Sequence, residues 1–318
     1  MRQPLLVAVG GNSLIRSGQR GTFEEQQANA RTTCDYIAAL IEAGHQVILT
    51  HGNGPQVGAQ LLRSEIASTY AYMLPLDGCD AATQGETGYL LETALRSALK
   101  AKGLTRQIAT ILTQVVVEEK DPAFENPTKP IGLFYSQEMA EQKQKELGWK
   151  IVEDAARGYR RVVPSPIPVD IVELDVIRHC VQNGILVIAV GGGGIPVILD
   201  HGHYQGVEAV IDKDRASALL ARKLGLEKFI VTTDADRVYL NHKKPDQRPL
   251  DWITVSQARQ YFKEGHFPPG SMGPKIEAAI DFLTNGGKEV IITQPELLAL
   301  ALEGKGGTSI VADERSQK

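Results

Sequence analysis

Cysteine is scarce in this chain. Cys34, Cys79 and Cys180 are its whole complement among 318 residues, and they form no CxxC pair. That scarcity argues against a disulfide framework or a structural zinc site, and it fits a reducing, cytoplasmic setting. Long apolar runs are also missing. The longest candidate is broken by the glycines at 191–194, so no stretch is long enough to cross a bilayer. The strand-like run Leu5–Val9 comes almost at once, without the basic-apolar-small order of a signal peptide. Charge of one sign is not in excess: 34 Lys+Arg stand against 38 Asp+Glu, a formal net charge of −4. Neither nucleic acid nor an anionic membrane surface is called for, and any cationic site must be local. Among motifs, GxxxxGK[ST], GxGxxG after a strand, HEXXH and GxSxG are all absent. Readings as a P-loop NTPase, a dinucleotide-binding dehydrogenase, a zinc protease or a serine hydrolase are weakened accordingly.

Glycine turns at strand ends are what the chain has instead. Ile185–Val190 is apolar and mostly β-branched, and runs into Gly191-Gly192-Gly193-Gly194. A fully apolar run suits a buried parallel strand. Consecutive glycines are costly to order, so they are expected where backbone must come close to something. Beyond the carboxyl ends of parallel strands, that something is commonly an anion met by N–H groups. The same grammar recurs at Leu5–Val9 with Gly10-Gly11-Asn12, and at Val47–Thr50 with His51-Gly52-Asn53-Gly54. Three such turns in a βαβ rhythm suggest loops converging on one ligand. Helices are expected after the capping pairs Thr22/Glu25, Asp170/Glu173 and Thr254/Gln257, and over 83–102. Ile108–Val117 reads as one strand, and Asp200–Gly206 as a polar loop. The segment 118–163 breaks the rhythm and reads as a lid inserted off the sheet: Asp121–Tyr135 carries three prolines and no period, Ser136–Leu147 reads as a polar helix and Trp149–Val163 as short strands. The order of elements gives an α/β sandwich with a largely parallel sheet.

Three lysines occupy unusual settings. Lys129 lies between Pro127 and Pro130, which would hold it in a fixed direction at the tip of the lid; the alternative is an ordinary solvated lysine. Lys213 stands between Asp212 and Asp214 at a helix start, where the dipole disfavours a cation. The carboxylates would hold it toward a phosphate, or the group is a surface ion pair contributing ~0–1 kcal/mol. Lys275 follows Gly270-Ser271-Met272-Gly273-Pro274 at another helix N-terminus, a phosphate-friendly place or simply a helix surface. Asp200-His201-Gly202-His203 lacks a third ligand in register, so no protein metal site is expected.

In order, these segments resemble those of the carbamate kinases of the amino-acid-kinase family: VAVGGNSL from Val7, HGNGPQVG from His51, DPAF-NPTKPIG from Asp121, RRVVPSP from Arg160, GGGGIPV from Gly191, EAVIDKD from Glu208, GSMGPK from Gly270 and GGTSI from Gly306. The resemblance covers the chain from first strand to last. It implies an open αβα sandwich with a mainly parallel central sheet, the amino-acid-kinase fold, and a protruding lid at 118–163. It further implies an N-terminal lobe (1–205) for carbamate or carbamoyl phosphate and a C-terminal lobe (206–318) for ATP or ADP, with Mg²⁺. The implied reaction is reversible phosphoryl transfer between ATP and carbamate, usually running toward ATP. A homodimer comes with it, as does a place in the metabolism of arginine, with agmatine, purine or allantoin breakdown equally open as sources of carbamoyl phosphate. By position, Gly10, Gly11, Asn12, Gly52, Asn53, Gly191, Gly192 and Gly193 would meet substrate and phosphoryl group. Lys129, Lys213 and Lys275 would neutralise phosphates, with Asp214 and Asp212 orienting Lys213. Asp212, Asp234, Tyr239, Met272 and Gly273 would lie on the nucleotide side. Ala8 stands where acetylglutamate kinases carry a lysine, a charge that Lys129 would replace. The chain departs from the family pattern at Glu86 and Thr87, usually apolar, and at Arg237, usually small. A kinase for another small carboxylate and a non-catalytic nucleotide-binding paralogue are the competing readings.

Overall fold

Leu5–Val9 is buried along its whole length and lies near the middle of an eight-stranded sheet. The computed structural model describes residues 3–16, 18–153, 158–268 and 270–313, apart from the side chains of Asn12 and Leu133. In spatial order the sheet strands are Trp252–Thr254, Thr308–Val311, Glu289–Thr293, Lys228–Thr232, Leu5–Val9, Val47–His51, Leu186–Ile188 and Ile108–Thr110. Every neighbouring pair is parallel except Glu289–Thr293 with Thr308–Val311.

Alternation along each strand sends side chains to opposite faces. Leu6 and Ala8 join one core with Ile48, Val187, Phe229 and Val231, covered by helices Leu174–Gln182, Lys213–Lys223, Val255–Lys263 and Met272–Thr284. Leu5, Val7 and Val9 join the other, under helices Phe23–Glu42, Leu76–Ala101 and Leu298–Leu302. The result is the expected αβα sandwich with a mainly parallel sheet. Capping boxes form at Thr22/Glu25 and Thr254/Gln257, satisfying N–H groups that helix ends leave open.

Several elements differ from the expectation. The helix expected over 83–102 begins at Leu76, behind Pro75. Ile108–Val117 is two strands: Ile108–Thr110 edges the central sheet, and Gln114–Val117 crosses into a second sheet with Pro168–Ile171, Ile195–Asp200 and His203–Gly206. The supposed polar loop at 200–206 is thus the tip and return strand of a hairpin. The apolar run before the glycines shortens to Leu186–Ile188, because Val190 turns left-handed at φ 53°. Asp170 and Glu173 form no capping box. Asp170 pairs with Lys223, while Glu173 accepts from the backbone N–H and side-chain amide of Gln114. A division at 205/206 falls inside His203–Gly206, and the central sheet runs unbroken through both halves.

The lid is more regular than its prolines suggest. Lys129–Tyr135, Tyr159–Val163 and Ile151–Glu153 form a separate antiparallel sheet, followed in part by helix Gln137–Leu147. Lys129 is therefore the first residue of a strand, paired with Val163, and not the tip of an irregular loop. The lid seats on helix Gly54–Ala67 through a glycine pair: a Cβ on Gly58 would overlap Gly132, whose own φ is +74°. From this seat Lys129 reaches Asp212, the residue before helix Lys213–Lys223.

Candidate active site

Asp212 begins the site. It caps helix Lys213–Lys223, its Oδ1 accepting from the backbone N–H of Asp214 at 2.9 Å and of Arg215 at 3.4 Å. Its Oδ2 accepts from Lys129 Nζ at 2.9 Å, so the lid is tied to the helix start by one ion pair. Asp214, one residue inside the helix and 2% exposed, takes an ammonium on each oxygen: Lys213 on Oδ1, and Lys275 on Oδ2 at 3.1 Å. Lys275 comes from the first turn of Met272–Thr284, so two helix N-termini meet here, each favouring an anion. Three ammoniums against two carboxylates leave one positive charge.

The charges are held in their ionised forms unevenly. Burial raises the Asp212 carboxyl, but Lys129, Lys213 and Lys275 more than reverse that and hold it below the usual range. Asp214 goes the same way, burial being outweighed by Lys213 and Lys275. Burial pulls the Lys213 ammonium down, and Asp214 recovers only part of the loss. Lys275 ends above its usual value because Asp214 and Asp212 outweigh its burial.

The glycine turns close around these lysines. A Cβ on Gly52 would lie 3.3 Å from Lys213 Cδ and 3.4 Å from the Gly11 nitrogen, which places two turns and one lysine stem side by side. Gly10 is needed because a Cβ there would come within 2.7 Å of the Thr232 carbonyl oxygen. Cβ atoms on Gly191, Gly192 and Gly193 would overlap the His51 ring, the Asn53 amide and the Ile211 carbonyl respectively. Gly192 and Gly193 also have positive φ, 69° and 102°. The picture of every glycine offering its N–H to phosphate needs correcting in one respect. The amide of Gly10 donates to Thr232 Oγ1, that of Gly52 to the Val9 carbonyl and that of Gly193 to the Val190 carbonyl. These three serve through close approach, because sheet and turn geometry already uses their N–H groups. The side chain of Asn12 lies outside the described residues.

A cleft of about 870 Å³ opens between lid and helices, lined by Lys129, Arg160, Asp212, Arg215, Phe267 and Gly273 among others. Of the residues expected on the nucleotide side, Asp212 and Gly273 line it, and Met272 opens the adjoining helix. Asp234 lines a separate cavity of about 320 Å³ with Ser13, Arg16 and Gln294, while still acting on Lys275 through its charge. The Tyr239 hydroxyl donates to Asp236, and Arg237 pairs with Asp236 and Asp251, a local network that accounts for the arginine. Asp212 holds Lys129, and Lys213 is held by Asp214. Glu86 is half-buried; Thr87 is fully buried with a hydroxyl that has no partner among the described residues. His51 is buried, which pushes its pKa down to about 4. Among the described residues no group of three or more His, Cys, Asp or Glu could hold a metal ion. Sequence reasoning missed Arg215, Asp80 and Thr83. Asp80 and Thr83 reach the site through Asn53, a contact with no period to reveal it.

Comparison with known proteins gives the same picture. The model of the amino acid kinase family matches residues 3–294. A carbamate kinase of Thermococcus kodakarensis is 47% identical over 313 residues, 97% of this chain and 99% of the relative. A carbamate kinase-like protein of Escherichia coli is 46% identical over 98% of this chain and 99% of its own length. The solved carbamate kinase of Giardia lamblia bound to AMP-PNP superposes with a TM-score of 0.91 at 41% identity, covering 98% of this chain and 99% of that one. With the family model matching residues 3–294 and relatives at 41–47% identity over nearly the whole chain, the chain belongs to the amino acid kinase family.

Proposed function

We propose that this protein is a carbamate kinase, transferring a phosphoryl group reversibly between ATP and carbamate and working toward ATP from ADP and carbamoyl phosphate. The observation that carries the reading is the convergence of Lys129, Lys213 and Lys275 on Asp212 and Asp214 beside the Gly11 and Gly52 turns. Carbamate is already an anionic oxygen nucleophile, so the reaction needs alignment and charge neutralisation and no strong base. A buried His51 with a lowered pKa fits that requirement, because it is neutral and asks for no proton.

The carboxylates keep the lysines extended before substrate arrives. Phosphate oxygens then share the ammoniums, each contributing roughly 4 kcal/mol at ~4 Å and an effective dielectric near 20, before desolvation. Lys129 closes over the transferring group from the lid, while Lys213 and Lys275 face it from the two helix starts. The Gly10, Gly11, Asn12, Gly52 and Asn53 side takes the carbamoyl moiety, and the cleft lined by Asp212 and Gly273 takes the nucleotide. Asp212 and Asp214 are committed to lysines and form no cage for Mg²⁺, which enters this account as part of the nucleotide complex.

A homodimer, from the family resemblance, and a cytoplasmic setting, from the scarce cysteines, are parts of this proposal, with arginine or agmatine breakdown and purine or allantoin catabolism as the candidate sources of carbamoyl phosphate. None of the described helices is long and apolar enough to cross a membrane. The test is ATP formation from ADP, Mg²⁺ and a panel of acyl phosphates. Carbamoyl phosphate is expected to be turned over best. Better turnover of another acyl phosphate would replace the substrate, and ADP binding without any turnover would replace the activity.

A further inference from the structure

Asn53 is the residue before helix Gly54–Ala67, the position where an asparagine side chain ordinarily caps the helix. It makes no such bond. Its amide nitrogen instead donates to Asp80 Oδ1 at 3.0 Å and to Thr83 Oγ1 at 2.9 Å, both on helix Leu76–Ala101. Which way round the amide sits is decided by Thr83. The Thr83 hydroxyl hydrogen goes to the Asp80 carbonyl at 3.0 Å, so Thr83 Oγ1 meets Asn53 as an acceptor and requires N–H there. Both amide hydrogens are then spent. The remaining polar atom, Oδ1, has no donor among the described residues, and the amide lies against Gly192, where a side chain would overlap it. Asn53 follows Gly52, which rests on the Lys213 stem. A good capping residue has thus given up its cap and leaves a carbonyl oxygen against the Gly192 turn, one residue from the glycine that rests on the Lys213 stem.

We infer that Asp80 and Thr83 are positioning residues that lock Asn53 with Oδ1 toward the substrate, so that the site selects a small acid carrying an N–H donor. Carbamate, with its amino group, satisfies that oxygen. Acetate, of the same shape with a methyl group, leaves it desolvated and unpaired, and discrimination built on an unsatisfied buried polar group is strong. This inference rests on the carbamate kinase reading and adds the atom that recognises the amino group.

The test compares kcat/KM for ATP formation from ADP with carbamoyl phosphate and with acetyl phosphate. Thr83→Val removes the acceptor while keeping the shape, frees the amide to turn, and is expected to lower the carbamoyl-to-acetyl ratio about tenfold or more. Thr83→Ser keeps the hydroxyl and should return the ratio to that of the parent. If Thr83→Val does not fold, Asn53→Ala carries the test, with the same fall expected. A ratio within twofold of the parent in a folded, active Thr83→Val or Asn53→Ala protein overturns the inference and leaves the carbamate kinase reading standing. No ATP from carbamoyl phosphate in the parent protein overturns both.

Discussion

Asp214→Asn keeps the volume of a side chain that is 2% exposed and removes the one charge that two ammoniums share. The asparagine has a single acceptor oxygen, so its amino group must face either Lys213 or Lys275, donor against donor. Each lysine gains about 4 kcal/mol from a carboxylate at ~4 Å and an effective dielectric of 20, much of it offset by desolvation. Removing one partner of a buried pair typically costs about 3–5 kcal/mol of stability, because the charges left behind stay buried. Under the proposed function the same change misplaces two groups that meet the phosphates, and loss of even one donor to a transition state lowers kcat about 10²–10³-fold. A pH signature separates lost positioning from simple unfolding. With Asp214 neutral, only the Asp212 charge still opposes the effect of burial on Lys213, so its ammonium loses its proton at lower pH than in the parent. Residual activity should therefore fall as pH rises through a range where the parent is level. Urea unfolding and the rate of ATP formation across pH measure both effects. An asparagine variant within threefold of the parent rate, with an unchanged urea midpoint, would refute the reasoning.

Other perturbations separate the lid, the turns and the buried acid. Lys129→Ala should lower kcat by about 10² or more through loss of a transition-state contact, with a change in the urea midpoint no larger than a partly exposed ion pair allows, about 1 kcal/mol. A destabilised variant with parental kcat would contradict that assignment. Gly192→Ala places a methyl group into the Asn53 amide at a φ of +69°, and should cost about 1–3 kcal/mol together with most of the activity. Parental activity and stability would show that the turn has room. Asp80 is buried and its carboxyl is raised well above the usual range, mainly by desolvation. The unfolded chain ionises Asp80 near pH 4 while the folded one holds its proton to higher pH, so this group's contribution to stability is present below pH 4 and declines as pH rises toward the folded pKa. Asp80→Asn lacks that decline, so its stability relative to the parent should improve between pH 4.5 and 7.5. Equal differences in urea midpoint at the two pH values would count against a neutral Asp80.

Much of this architecture was legible because the chemistry is local. The Thr22/Glu25 and Thr254/Gln257 boxes, and the glycine turns after Val9, Thr50 and Val190, depend on neighbours in sequence, and the structure has them where the residues indicate. What was not legible depends on contacts across the fold. Lys129 looked like a loop residue because prolines mask the strand that pairs it with Val163. Ile108–Val117 looked continuous because β-branched composition cannot register that the chain changes sheets between Thr110 and Gln114. The start of helix Leu76–Ala101 was hidden by Gly78 and by polar residues whose burial comes from the site itself, Asp80 and Thr83 among them. The lysines were found by their odd settings, but which carboxylate holds which lysine was a matter of three-dimensional approach: Asp212 reaches across to the lid, and Asp214 bridges two helices.

On the proposed function, three lysines gathered on two aspartates carry a phosphoryl group from carbamoyl phosphate to ADP. Phosphorus NMR of the purified protein with ADP, Mg²⁺ and carbamoyl phosphate, run beside Lys213→Ala, tests it most directly. A growing γ-phosphate resonance of ATP at the expense of carbamoyl phosphate is expected in the parent, slowed about 10²–10³-fold in the folded variant. No γ-phosphate resonance in the parent, or equal rates in parent and variant, would contradict it.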